Sequence, residues 1–221
     1  MSDHGATRSA ISHPTPSSAW SVLSPATGLL VVVSGPSGAG KDSVITRARE
    51  LGCPLHFVPT VTSRPPRPNE VNGRDYHFVT AEQFQALIAA GEFLEWALVY
   101  GEYKGNRRAD VRAALAAGHH VALRVDVQGA RTIRRLAPAA ILVFVTPASR
   151  TELEQRLRRR RTESEEALAR RLQIAQEEML ALPEFDYVIV NRDGELDAAA
   201  RRLTAIVAAE ECRVHPRQVI L

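Results

Sequence analysis

The chain is poor in lysine: of its 28 basic residues only two, Lys41 and Lys104, are lysines, and arginine supplies the rest. A lysine retained against such a bias is a candidate for a place where a compact ammonium does what a planar guanidinium cannot. Cysteine is scarce as well. Cys53 and Cys212 offer neither metal spacing nor a disulfide framework, which suits a reducing compartment. No sign of charge dominates, and a net +3 over 221 residues is too weak to argue for nucleic acid. Long hydrophobic runs are missing too. The longest apolar stretches, Leu29 to Val33 and Ala139 to Val145, fall far short of the roughly 20 residues that span a bilayer, and read as buried strands. With 45% hydrophobic and 24% charged residues, wholesale disorder is excluded, and a chain of 24.2 kDa can bury a full core.

Residues 1–27 are rich in Ser, Pro, Ala and His and show no period, so a flexible extension is expected there. A transit peptide is the alternative, weakened by a single arginine, Arg8. Beyond them, short apolar runs at Leu29–Val33, Val121–Val125, Ile141–Val145 and Tyr187–Val190 each precede a helical stretch. This rhythm predicts an α/β fold, a mostly parallel sheet with helices on both faces. Two segments break it. Residues 59–108 turn to prolines, polar residues and short aromatic strands, with one helix where Phe84, Leu87 and Ile88 share a face, and read as an inserted subdomain. The second break is the run Arg158 to Arg161, then Thr162 or Ser164 as N-cap of a helix reaching about Leu180. The expected core is 28–58, 109–157 and 173–211, with a lid at 158–172 and a tail at 212–221.

The most specific signal is Leu30-Val31-Val32-Val33-Ser34-Gly35-Pro36-Ser37-Gly38-Ala39-Gly40-Lys41-Asp42-Ser43, a strand, a glycine-rich turn and a helix start with Gly35, Gly40 and Lys41 spaced as G-x-x-x-x-G-K. Glycines let successive backbone N–H groups converge on phosphate oxygens. The helix N-terminus adds positive potential, and the lysine reaches between the β- and γ-phosphates. Asp42 stands where a hydroxyl ligand to magnesium is usual. Its carboxylate, directly or through water, is a better candidate for the ion than Ser43, which a helix turns about 100° away.

The string Thr60-Val61-Thr62-Ser63-Arg64-Pro65-Pro66-Arg67-Pro68-Asn69-Glu70-Val71-Asn72-Gly73-Arg74-Asp75-Tyr76-His77-Phe78-Val79 closely resembles the acceptor subdomain of guanylate kinases. So do Gly91-Glu92-Phe93-Leu94-Glu95-Trp96 and Val125-Asp126-Val127-Gln128-Gly129-Ala130. The resemblance runs from about Leu29 to Val207. It implies the P-loop nucleoside-monophosphate-kinase fold, a guanylate kinase domain at 28–211, and magnesium-dependent transfer from ATP to GMP, with dGMP as a second acceptor. A cytoplasmic enzyme is expected, with no membrane, nucleic-acid or obligatory protein partner. The ATP side comprises Gly35, Pro36, Ser37, Gly38, Ala39, Gly40, Lys41, Asp42, Arg156, Arg160 and Asn191. Arg171 joins Lys41, Arg64 and Arg160 as a cation acting on the migrating phosphoryl group.

On the acceptor side the resemblance implies that Arg64 and Arg67 form a fork for the monophosphate, with the Tyr76 hydroxyl as a third donor. Guanine presents N1–H and N2–H₂ on one edge, so Glu95 is the natural base reader. The resemblance also implies that Thr60 and Asn106 donate to O6 and that Glu70 and Asp126 are further polar contacts. Two departures stand out. Tyr103-Lys104-Gly105-Asn106 puts an ammonium where many members have a tyrosine hydroxyl, so Lys104 is expected on the acceptor phosphate. Arg124 replaces an acid found in some members, and Asp42 is expected to compensate for it in organising magnesium. Lys-Asp after the loop and Tyr-Lys-Gly resemble a subgroup that includes plant-organelle and some bacterial enzymes.

Blander readings accompany these. The arginine run reads as solvated surface, and His119 and His120 as caps of a strand entrance. Trp96 and Phe93 are expected in the subdomain core, and Met179 and Leu180 on a packed helix face. Asp126 can also be a structural acid at a strand end. A ribose 1,5-bisphosphate kinase has no use for Glu95 or for Arg64, Arg67 and Tyr76. A non-catalytic guanylate-kinase-like interaction module has no need of an intact glycine loop.

Overall fold

The β-branched run Val31-Val32-Val33 has no polar side to turn outward, and such a run is stable only as a strand covered on both faces. In the computed structural model, which describes residues 28–68, 70–99, 101–159 and 165–221, it forms β1 (Leu30–Ser34), buried at every position. The elements that follow are α1 (Lys41–Glu50), β2 (Leu55–Phe57), β3 (Thr60–Thr62), β4 (Tyr76–Phe78), α2 (Ala81–Ala89), β5 (Phe93–Val99), β6 (Glu102–Arg107) and α3 (Arg108–Ala116). Then come β7 (His120–Arg124), α4 (Val127–Leu136), β8 (Ile141–Thr146), α5 (Arg150–Arg159), α6 (Glu165–Met179), β9 (Tyr187–Val190) and α7 (Leu196–Glu211).

Strands β2-β7-β1-β8-β9, in that order, make one wholly parallel sheet. Alternation along β1 sorts the core into two layers. Val31 and Val33 pack with Val44, Ile45 and Ala48 of α1 and Leu203 and Val207 of α7. Leu30 and Val32 pack with Val111 of α3 and Ile133 of α4. The expected α/β architecture with helices on both faces is therefore present. Because the strands are parallel, their C-terminal ends lie along one edge, where open α/β sheets bind ligands.

A second sheet, in the order β4-β3-β6-β5, falls entirely between Thr60 and Arg107. Phe84 of α2 stacks on Phe93 and Tyr103, with ring centroids 4.4 and 5.1 Å away, and gives this sheet its own small core. The helix is closed by a capping box between Thr80 and Gln83. His120 opens β7, where its Nδ1 accepts from the Leu29 N–H at 3.0 Å.

Two packing expectations are corrected. Trp96 is 46% exposed, because alternation along β5 sends Trp96 and Leu98 outward while Glu95 and Ala97 turn in. Leu180 is 79% exposed, since α6 ends at Met179 and the chain turns away there. Arg160, Thr162 and Ser164, including the expected N-cap, lie outside the described residues, as do residues 1–27.

The C-terminal segment folds back on the core. The Glu210 side chain is 0% exposed and accepts from both Nε and Nη2 of Arg217 at 2.9 Å and from the Tyr187 hydroxyl at 2.8 Å. Arg112 donates to the Leu221 carbonyl, and Val219 and Leu221 pack on the second core layer. Removing one partner of a buried ion pair strands the other. Arg217→Ala is expected to lower unfolding free energy by about 3 kcal/mol, read from the denaturant midpoint, whereas exposed Arg213→Ala changes it little.

Candidate active site

The loop after β1 is shaped by its own backbone. Gly40, at φ 86, is the N-cap of α1, and a Cβ there would fall 2.4 Å from Asn191 Nδ2, so no other residue fits. No side chain caps this helix, which leaves its first-turn N–H groups for an anion. Asn191, at the end of β9, donates to the Ala39 carbonyl at 2.9 Å. Arg156 donates to the same carbonyl and to that of Asn191, and pairs with Glu152. Both residues thus hold the loop from beneath. Arg171 of α6 reaches the Ser37 hydroxyl at 3.2 Å.

Lys41 folds over the loop, its Nζ donating to the Gly35 and Pro36 carbonyls at 2.5 and 3.1 Å. Burial holds its pKa below the usual lysine value, while the charges of Glu178 and Asp42 pull it back up. Glu178 was not anticipated from the sequence. It lies near the end of α6 and accepts from the Ser37 N–H at 3.3 Å, so a carboxylate oxygen sits on the phosphate loop. Burial raises its pKa, opposed by Lys41. A separation of 141 residues between Ser37 and Glu178 leaves no local pattern to find it by.

Across the cleft Arg64 is buried, its two Nη atoms bonded to the two Glu70 oxygens at 2.7 and 2.6 Å. Its guanidinium lies 4.7 Å from the Tyr76 ring centroid and 5.6 Å from that of Phe78. Glu70 also accepts from the Arg67 N–H at 2.8 Å, while the Arg67 side chain is exposed. The carboxylate therefore occupies the Arg64 fork in the geometry that a phosphate would use. Lys104 of β6 is half-buried. Burial lowers its pKa, Glu102 raises it, and Arg64 and Arg124 press it down further.

Deeper still is a polar chain. Thr60 Oγ1 donates to Asn106 Oδ1 at 3.4 Å, and Asn106 Nδ2 donates to Glu95 Oε1 at 2.6 Å. All three residues are buried. Asp126 caps α4 by accepting from the Gly129 N–H at 2.7 Å, the structural use allowed for it. Gly129 is the residue that makes room for Glu95, since a Cβ there would stand 2.5 Å from Glu95 Oε2. Burial pushes the Glu95 carboxyl up to about 8, with Asp126 adding to the shift and Asn106 opposing it. Asp42, in the first turn of α1, accepts from Arg124 Nη1 at 2.8 Å.

A glycine loop ending in lysine, on a parallel sheet and facing an inserted sheet that carries a buried arginine fork, defines a P-loop nucleoside monophosphate kinase. The guanylate kinase family model matches residues 27–210, and the chain belongs to the guanylate kinase family, which transfers a phosphoryl group from ATP to GMP. It is 46% identical over 192 residues to "Guanylate kinase 2, chloroplastic/mitochondrial" of Oryza sativa subsp. japonica, covering 86% of this chain and 67% of that one. It is 47% identical over 193 residues to a guanylate kinase of Xanthomonas oryzae pv. oryzae, covering 86% and 93%. The crystal structure of guanylate kinase from Anaplasma phagocytophilum superposes with a TM-score of 0.71 at 30% identity, covering 87% of this chain and 90% of that one.

The state of Glu95 has a measurable consequence. Below about pH 8 the carboxyl is protonated in the free enzyme, and a protonated acid cannot accept both guanine N–H groups. With Glu95 as the guanine reader that the sequence leads one to expect, binding GMP requires release of that proton, so apparent affinity is expected to rise as pH increases and to level off above about 8. Calorimetry at pH 7 in buffers of different ionisation enthalpy should show close to one proton released. Glu95→Gln should release none and bind GMP far more weakly.

Proposed function

We propose the following division of labour for the reaction ATP + GMP ⇌ ADP + GDP. The loop from Gly35 to Asp42 cradles the ATP phosphates, with Pro36, Ser37, Gly38 and Ala39 supplying backbone and Lys41 leaving its loop carbonyls to reach the migrating phosphoryl group. Arg156 and Asn191 keep the loop in shape, and Arg171 and Arg160 act from the lid side. On the acceptor side Arg64 exchanges Glu70 for the GMP phosphate, joined by Arg67, Tyr76 and Lys104. Glu95 reads the guanine edge from beside Asn106, Thr60 and Asp126, and dGMP fits the same contacts.

The observation that carries this reading is Glu95, a buried acid whose hydrogen-bond partner is an amide rather than a cation. Such an acid suits a neutral ligand edge with two N–H donors. Adenine presents an acceptor at N1 instead, and sites that leave buried polar groups unpaired discriminate by roughly 10⁴ or more. The reaction itself demands little proton chemistry. It demands two anions brought in line with their charge offset, which is what the two cationic half-sites can do.

The residues also fit magnesium. Among the described residues there is no cluster of three potential metal-ligating side chains, and this ion is usually held by one or two carboxylates together with phosphates and water. Asp42 would hold it, and the ion when bound neutralises charge on the β- and γ-phosphates. Asp42→Ala should raise the magnesium concentration needed for half-maximal ATP affinity, and an unchanged metal titration rules the assignment out.

We also place the chain in the subgroup marked by Lys41-Asp42 and Tyr103-Lys104-Gly105, a reading supported by its identity to the rice relative. A cytoplasmic setting is favoured by two free cysteines, Cys53 and Cys212. The rice relative's name makes an organelle the alternative. Among the described residues no helix is long and apolar enough to cross a membrane.

A coupled assay of ATP against GMP, dGMP, AMP and ribose 1,5-bisphosphate tests the whole reading. Turnover is expected with GMP and dGMP and not with the other two. Lys41→Arg should lower kcat about a hundredfold or more, because a planar guanidinium does not fit the loop. No turnover with GMP overturns the reading.

A further inference from the structure

Arg124 ends β7 at the C-terminal edge of the parallel sheet, in register with Val33 of β1. Its side chain touches both halves of the cleft. Nη1 donates to Asp42 in the first turn of α1 at 2.8 Å, on the side of the glycine loop. The same guanidinium lies 4.4 Å from the centroid of the Tyr76 ring, on the acceptor side, where Arg64 approaches that ring at 4.7 Å. The charge of Arg124 is felt at Lys41 on one side and at Lys104 on the other.

A purely structural role fits this environment poorly. Arg124 is mostly buried, yet its one carboxylate partner, Asp42, is 60% exposed, and such half-exposed pairs stabilise a fold by little. Among the described residues its Nε and Nη2 donate to no protein acceptor, so most of a five-donor fork is uncommitted. A desolvated cation with spare donors, set among Arg64, Lys41 and Lys104, gains most when anions arrive.

We propose that Arg124 is a phosphate-binding residue of the reaction, its guanidinium bridging the acceptor phosphate and the migrating phosphoryl group. The proposal rests on the ATP–GMP reading above. In the step a bond forms between an oxygen of the GMP phosphate and the γ-phosphorus, while the bond from that phosphorus to the β–γ bridging oxygen breaks. The electron pair leaves with ADP, and no co-reactant is needed. Two anions approach each other in this step, and a fixed cation between them offsets their repulsion most at closest approach. Arg124 therefore acts on kcat more than on either substrate's binding. Asp42 holds the guanidinium in the free enzyme and releases or shares it once phosphates are present.

The test is steady-state kinetics of Arg124→Gln and Arg124→Lys, with equilibrium binding of a pentaphosphate-linked adenosine–guanosine analogue that fills both half-sites. Arg124→Gln should lower kcat about a hundredfold or more, shift KM for ATP and GMP less than about fivefold, and weaken the linked analogue about a hundredfold. Arg124→Lys keeps the charge without the fork and should recover part of kcat. If the Gln variant does not fold, as judged by its unfolding midpoint, the Lys variant decides, with at least a tenfold loss of kcat expected. A variant whose kcat stays within about threefold of wild type overturns the proposal. So does a loss confined to KM for GMP, which is what mere support of Tyr76 would give. A wild-type protein inactive on GMP sinks the underlying reading and this proposal with it, whereas an active wild type with an unaffected Arg124→Gln sinks this proposal alone.

Discussion

Phosphoryl transfer between two nucleotides needs several cations in one poorly hydrated cleft, and in the free protein those cations must be kept charged without repelling one another apart. Each of the main ones is held by an internal oxygen. Arg64 lies in the fork of Glu70, Arg124 rests on Asp42, and Lys41 bonds two carbonyls of its own loop with Glu178 close by. These acceptors occupy places that suit phosphate oxygens, so the charged framework is assembled before any ligand arrives. The cost of organising it is met during folding, and on the proposed reading binding becomes an exchange of one anion for another. Partly exposed acceptors such as Asp42 are easily displaced, which suits an enzyme that must release product every cycle.

The fold makes this arrangement achievable. A parallel sheet brings the ends of β1 and β7 together at one edge, so that Lys41 and Arg124, far apart in sequence, share a wall of the cleft. The inserted sheet brings the opposite wall with its own small core around Phe84, independent of the two layers that flank β1. Glu95 illustrates the reverse electrostatic problem. It is a buried acid with an amide partner, and Gly129 gives it space, so burial favours its protonated form in the free protein. One cleft thus keeps cations supplied with anions at one end and an acid without a cation at the other. On the proposed reading, this asymmetry orients a monophosphate nucleotide, phosphate toward Arg64 and base toward Glu95.

What could be read from sequence follows from how locally each feature is encoded. The buried strands were legible because Leu30 to Val33 and Ile141 to Val145 are continuous apolar runs, and the phosphate loop because seven residues of backbone define it. The three-residue β2 was not foreseen, since a strand of that length carries too little pattern and exists by pairing with β7. The exposure of Trp96 depends on which face of β5 is covered at that position, and that is decided by tertiary packing rather than by the strand's own residues. Glu178 escaped notice because its contact with Ser37 is created by the packing of α6. Asn191 and Arg156 are expected beside ATP from the sequence, and in the free protein both donate to the Ala39 carbonyl of the loop, Arg156 also to the Asn191 carbonyl. Sequence conveys which residue types gather at a site, but not which of them lean on each other.

The scarcity of lysine acquires a physical meaning in this setting. Burial moves the pKa of both Lys41 and Lys104 below the ordinary lysine value. Arginine does not respond in that way, since its guanidinium stays protonated throughout any accessible range. In the loop the geometry adds a second reason, because an ammonium can bond the Gly35 and Pro36 carbonyls within one turn of backbone while a planar fork cannot converge on both. At Lys104 only the electrostatic reason applies. Arg64 and Arg124 already place two permanent charges nearby, and a third permanent charge would raise the self-repulsion of the free cleft. An ammonium there is a compact charge on a flexible stem, and burial together with those two guanidiniums holds its pKa below the ordinary lysine value.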